Sequence, residues 1–275
     1  MALDISEKTR RFRALHERAG GFVIANAWDA GSARLLASLG FEALATSSGA
    51  AAGVLGRRDG RITRDEALAH AKLIVSATDL PVSADLENGF GDSPEDAALT
   101  IRSAGAIGLA GGSIEDCNTS GAKPVLYDQA HATRRIEAAV AAARAHAHGF
   151  VLTARAENFI RGNPDLDDTI RRLQAYEAAG ADVLMAPGLP DLASIAKVCG
   201  SLKKPFNFMG GIKGRSWTVA ELSGAGVRRV SLATSLYRAA MTGLLDAARE
   251  MKEHGTFGYL DRTLATPDLN AFMQD

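Results

Sequence analysis

The chain is poor in cysteine, with Cys117 and Cys199 the only two among 275 residues. Two cysteines without C-x-x-C spacing build neither a zinc site nor a disulfide framework. A long apolar run is missing too; none approaches the ~20 residues needed to span a bilayer. The opening Met1-Ala-Leu-Asp-Ile-Ser-Glu-Lys-Thr-Arg-Arg is charged and has no apolar core. No secretory signal is read there, and a cytoplasmic location is expected. Neither sign of charge is in excess: 31 Lys and Arg stand against 32 Asp and Glu, a net charge of −1. With no bulk field, neither nucleic acid nor membrane is expected as a partner. Aromatic residues make up only 6%, which argues against an aromatic-cored β sandwich. The six histidines, His16, His70, His131, His146, His148 and His254, all fall in segments of helical spacing. A His-based triad is therefore not expected.

What the chain does have is regular alternation. Short apolar runs begin at Phe22, Ala43, Pro81, Ile107, Phe150, Asp182, Pro205 and Arg229. Longer segments with helical spacing lie between them. In Arg64–Val75, Ala67, Leu68, Ala71 and either Ile74 or Val75 share one face. Thr63 and Glu66 read as a capping box at its start. Ser93-Pro94 reads as an N-cap followed by an N1 proline. Further helices are expected over 129–147, 167–179, 191–198 and 236–253. Gly40, Gly105, Gly149, Gly180 and Gly226 read as helix stops, since glycine accepts the left-handed conformation. Eight strands alternating with helices in 275 residues suit an α/β (β/α)8 TIM barrel. The doubly wound alternative lacks its glycine-rich first turn, which here reads Asn26-Ala-Trp-Asp-Ala-Gly. One barrel domain over 1–275 is expected, with 240–275 a C-terminal helical extension packing on the barrel or on a neighbouring subunit.

A barrel's chemistry sits at the C-terminal ends of its strands. Asp59, Asp85, Glu87 and Glu115 are expected to converge there, with Asp85 and Glu87 two apart on one strand. Crowded carboxylates repel unless a cation sits among them. An all-oxygen set without histidine or cysteine favours Mg²⁺ or Mn²⁺ over zinc. The alternative is that these acids pair with Arg57, Arg58, Arg155 or backbone amides. The Ser48-Gly49-Ala50 turn could hold a carboxylate on its N–H groups, or could be a plain tight turn. Arg155 could grip a carboxylate bidentately, or bridge Glu157 or Glu115. Gly210-Gly211 has the look of a late-strand phosphate turn. Trp28, after the first strand, joins the substrate-facing set.

Several of these segments resemble the isocitrate lyase/phosphoenolpyruvate mutase superfamily. They are Ser47-Ser48-Gly49-Ala50, Leu55-Gly-Arg-Arg-Asp59-Gly60, Asp85-Leu-Glu87-Asn-Gly-Phe-Gly91, Ser113-Ile-Glu115-Asp116, Ala154-Arg155-Ala-Glu157, Met185-Ala-Pro-Gly188 and Asn207. The resemblance runs from about Phe22 to about Ala239. It implies a (β/α)8 barrel, often with its last helix exchanged between subunits of a dimer or tetramer. It also implies a Mg²⁺-dependent site for small 2-oxo or 2-hydroxy acids. By motif position Asp85 looks like the nearest metal ligand, with Asp59, Glu87 and Glu115 often acting through waters. Ser48, Gly49, Ala50 and Arg155 look like holders of the oxo acid, with Asn207 nearby.

The chain departs from that pattern in three places. The loop after the fourth strand, Asp116-Cys117-Asn-Thr-Ser-Gly-Ala-Lys123-Pro-Val-Leu-Tyr127, has no Cys-Gly-His. Lys123 is its only lysine, and with Arg155 and Glu115 completes the expected catalytic set. Pro187-Gly188 stands where the lyases for tricarboxylic substrates carry a glutamate. Glu87 stands where many members have aspartate. The expected activity is cleavage of a C–C bond next to the oxo or hydroxy group, through a metal-stabilised enolate. The alternatives are a P–C bond hydrolase or mutase acting on a phosphonopyruvate-like compound, and a non-catalytic 2-oxo acid binder.

Overall fold

The computed structural model describes residues 3–119, 121 and 123–273. In chain order the elements begin with α1 (Ile5–Glu17), β1 (Phe22–Asn26), α2 (Ala30–Ser38), β2 (Leu44–Ala45), α3 (Ser48–Val54) and α4 (Arg64–Ser76). Then come β3 (Val82–Asp85), α5 (Pro94–Ala106), β4 (Gly111–Glu115), β5 (Cys117–Asn118), β6 (Val125–Leu126), α6 (Gln129–Arg144) and β7 (Val151–Arg155). The remainder is α7 (Leu166–Ala178), β8 (Val183–Met185), α8 (Leu192–Gly200), β9 (Phe206–Met209), α9 (Val219–Gly224), β10 (Arg229–Ser231), α10 (Ser235–His254) and α11 (Thr266–Asn270).

Eight parallel strands close into a barrel in the order β1-β10-β9-β8-β7-β4-β3-β2. The fold is thus the expected (β/α)8 barrel, with β5 and β6 forming a separate antiparallel hairpin. The capping box of Thr63 with Glu66 is present, and Ser93 caps α5 through a box with Asp96 behind Pro94. Gly40, Gly149, Gly180 and Gly226 adopt positive φ as expected, but Gly105 does not. It lies inside α5, and Gly108, at φ +90°, makes the turn instead. A Cβ at Gly105 would collide with the His146 ring, so that glycine serves helix contact rather than helix termination.

Outward-facing strand residues and the helices share one apolar layer. Leu36, Leu68, Ile74, Ile101, Ile136, Leu173, Ile195 and Leu222 are all buried in it. Each such side chain contributes roughly 2 kcal/mol of transfer free energy. α1 closes the N-terminal end of the barrel, where Phe12 and Leu15 pack on Phe22, Ile24, Val151 and Val183. The barrel interior is less usual. Asn26, Ser83, Ser113, Asn207 and Ser231 line it where branched apolar residues are the norm.

The C-terminal region differs from the rest, since no residue of α10 is buried. Met241, Leu244, Leu245 and Met251 are exposed along it. Among the described residues no helix is long and apolar enough to cross a membrane.

Candidate active site

Parallel register sets the first layer of the site. Glu115 ends β4 directly beside Arg155 at the end of β7, which in turn neighbours Met185 on β8. Asp85 ends β3 beside Ser113. Its carboxylate accepts the Ser48 N–H at 3.1 Å and the Glu87 N–H at 3.3 Å. One expectation fails here: Glu87 is not on the strand. It sits past the end of β3 at φ +50°, in a turn closed by Gly89 N–H donating to Leu86 O. The turn still directs Glu87 into the same cleft as Asp59 and Glu115.

Two adjoining hollows share Arg155 as a wall. The outer cleft is lined by Ser48, Asp59, Glu87, Glu115 and Arg161, with Thr119 and Pro124 from the hairpin. The axial cavity beneath is lined by Asp85, Thr46, Ser113, Met185, Asn207 and Met209, and reaches Arg229.

The two readings of Arg155 resolve toward bridging. Its Nε donates to Glu157, and its Nη1 lies 3.4 Å from Glu115 and 3.9 Å from Asp85. Arg161, four residues after Glu157 in the turn beyond β7, lies 3.1 Å from Glu115 and forms an ion pair with Glu157 Oε2 at 2.7 Å. Arg155, Glu157, Arg161 and Glu115 thus make a closed ring of alternating charge, buried except at the half-exposed Arg161. Burial works against the Arg155 cation, but Glu157, Glu115 and Asp85 outweigh it and keep it protonated. Its Nη2 makes no hydrogen bond among the described residues. Arg57 pairs with Glu66, away from the cleft acids.

Glu87 is the unsettled carboxylate. Its Oε1 is buried without a hydrogen-bond partner. Burial, with Asp85 and Asp59 close by, pushes its pKa up to about 8. Among the described residues no three Asp, Glu, His or Cys side chains converge closely enough to ligate one ion. Glu115 is drawn toward two arginines and Asp85 toward two backbone amides. The donor set nonetheless suits a hard dication, because it is all oxygen, Asp85 and Asp59 crowd Glu87 so that it resists ionising without a cation, and one buried oxygen there lacks a partner.

The remaining expected residues are spread more widely. Gly49 and Ala50 lie in the first turn of α3, whose N–H groups have no partner within the helix. Asp59 approaches Gly49, where an added Cβ would meet its Oδ2 at 3.1 Å. Asn207 lies deeper than a rim residue, fully buried and held by Arg229 and Ser231. Trp28 packs its ring on Tyr237 at 5.9 Å and lines neither hollow. Lys123 is exposed on the hairpin loop and is not brought to the cleft wall. Burial pushes the Cys117 thiol up to about 12, which disfavours its thiolate. The hydroxyl of Tyr127 donates to Asp92 at 2.6 Å and accepts from Asn88 at 2.9 Å. That strap ties the hairpin to the Glu87 turn. Gly211 permits a close approach, since a Cβ there would meet Leu232 O at 2.8 Å.

Sequence reasoning missed Arg161 and Arg229. The Glu157-to-Arg161 spacing was a usable clue, as was an arginine at the head of an apolar strand.

Comparison with known proteins bears on this geometry. Residues 12–252 match the family model described as phosphoenolpyruvate phosphomutase. A solved structure from Burkholderia cenocepacia J2315, provisionally assigned as a lyase/mutase, superposes with a TM-score of 0.94 at 48% identity, covering 98% of this chain and 96% of that one. Oxaloacetate decarboxylase 2 of Pseudomonas fluorescens is 31% identical over 89% of this chain and 83% of its own length. The 2-methylisocitrate lyase of Escherichia coli is 32% identical over 71% of this chain and 67% of its own.

Proposed function

The chain belongs to the isocitrate lyase/phosphoenolpyruvate mutase superfamily, and on that footing we propose that it is a Mg²⁺- or Mn²⁺-dependent lyase. Its reaction is cleavage of the C–C bond next to the oxo or hydroxy group of a small 2-oxo or 2-hydroxy carboxylic acid, through an enolate. The observation that carries this reading is the buried, unpartnered Glu87 oxygen beside Asp85 and Asp59, facing a cleft walled by Arg155.

Asp85 would be the nearest ligand of the cation, with Asp59, Glu87 and Glu115 reaching it through waters, and the cation would supply positive charge where the substrate oxygen becomes anionic. The first-turn amides of Gly49 and Ala50 orient the substrate carboxylate. Arg155 Nη2 donates to the oxo acid while the ion-pair ring keeps its guanidinium plane fixed. Fixed donors need no reorganisation as charge develops; losing one costs about 3 kcal/mol in comparable sites. The hairpin residues Thr119 and Pro124 limit water at the outer cleft. The same reading makes the protein a homodimer or homotetramer in which α10 packs on a neighbouring barrel. Its lack of any buried residue supports this.

A proton and phosphorus NMR time course tests the proposal. Oxaloacetate, isocitrate, 2-methylisocitrate and phosphonopyruvate are supplied with and without Mg²⁺. Metal-dependent pyruvate or glyoxylate that vanishes with Asp85→Ala is the expected result. Asp85→Ala protein turning over at the wild-type rate overturns it. Phosphate release from phosphonopyruvate alone would favour P–C chemistry, the second reading, which the matched family's description supports.

A further inference from the structure

Arg229 opens β10 and lines the axial cavity from below. It is 4% exposed. Its guanidinium contacts only neutral groups. Nε donates to Asn207 Oδ1 at 2.7 Å, Nη2 to Thr153 Oγ1 at 2.9 Å, and Nη1 to His16 Nε2 at 3.3 Å. His16 can accept because its Nδ1 donates to Phe12 O at 2.7 Å. No carboxylate pairs with Arg229 among the described residues, and burial alone pulls its pKa down to about 9. It therefore still carries its charge at neutral pH. A buried cation without a counter-charge is an arrangement that proteins avoid. Here it lies under a cavity walled by hydroxyls and amides, among them Thr46, Ser83, Ser113 and Ser231.

The orientation of Asn207 follows from Arg229. A guanidinium can only donate, so the Asn207 oxygen must face it. The amide nitrogen then points the other way and donates to Ser231 Oγ at 3.0 Å. With its oxygen accepting that bond, Ser231 has its own O–H to give to the cavity. Each link donates away from Arg229 and toward the cavity, and linked donors polarise one another. The end presented to a ligand is positive.

We propose that Arg229 is a positioning residue for the substrate anion: through Asn207 it aims the Ser231 donor into the axial cavity, and its unpaired charge favours an enolate-like dianion over the monoanion. The inference rests on the reading of the site as one for 2-oxo acids.

Oxalate, a planar dianion shaped like enolpyruvate, is the probe. It is titrated calorimetrically into the full-length protein with Mg²⁺ present, with pyruvate in parallel as the monoanion. Asn207→Asp sets a carboxylate against Arg229 and cancels its charge at nearly constant volume. The expected result is an unchanged or raised thermal midpoint, with oxalate affinity down at least about tenfold and pyruvate affinity changed far less. Arg229→Lys should keep the preference for oxalate over pyruvate, and Arg229→Met should lose it. Asn207→Asp protein with the wild-type preference overturns the role of Arg229 and leaves the oxo-acid reading standing. Wild-type protein that binds neither anion overturns that reading, and this inference with it.

Discussion

Asp116 accepts the backbone N–H of Glu157 at 2.8 Å, so the residue just past β4 fixes the chain just past β7. Its other oxygen takes the Tyr176 hydroxyl at 2.6 Å and the Arg172 guanidinium at 3.1 Å. The ion-pair ring around Arg155 is built on that buttress. Asp116→Asn takes one of the two carboxylates from Arg172, which keeps Asp168 at 2.8 Å, and weakens the charge-assisted bonds to Tyr176 and Arg172; such a loss costs about 2 kcal/mol. Urea denaturation should show the loss. Wild-type stability in Asp116→Asn would contradict the buttress.

Asp85→Asn keeps the shape of the site and removes its charge. Turnover on the productive substrate should fall by about a hundredfold or more. A ligand that binds only the folded state raises the melting temperature. The wild-type protein should therefore melt higher in millimolar Mg²⁺, and Asp85→Asn should show little of that rise. An equal rise in both proteins would remove Asp85 from the cation site.

His16 predicts a pH dependence of stability. Burial, and then the Arg229 charge, pull its pKa down to about 3, against 6.5 for the unperturbed group. Between those values the unfolded chain binds a proton that the folded chain refuses. Stability from this residue is intact above pH 6.5 and is lost as pH falls toward 3. At pH 5 the loss is about 2 kcal/mol. Thermal melts between pH 7 and 5 should be steeper for wild type than for His16→Gln. Parallel slopes would show that His16 does not titrate differently on folding.

Leu244 and Leu245 are exposed on α10. If α10 packs on a neighbouring barrel, light scattering should give a dimer or tetramer, and Leu244→Glu with Leu245→Glu should shift it toward monomer. A wild-type monomer at tens of micromolar would refute the assembly.

Much of the fold was legible because its cues are local. The eight apolar runs became the eight barrel strands, and the caps at Thr63 and Ser93 formed as their spacing indicates. Gly105 misled because a helix-stop glycine and a helix-contact glycine look alike in sequence. Only the nearness of His146 separates them. Asp59, Glu87 and Glu115 line one cleft, while Asp85 lines the axial cavity beside it. The strand-end rule could not show that the chain turns left-handed at Glu87, or that Lys123 stays out in solvent.

The sequence by itself determined most of the residues that end the strands, since strand period and strand end follow from neighbours a few positions apart. The tertiary structure alone decided what those residues do there. Glu115 meets Arg155 through the register of β4 with β7, and Arg229 meets His16 across 213 positions of sequence. Charge pairing acts through space over a few ångströms, so it depends on register and closure, which no local pattern encodes.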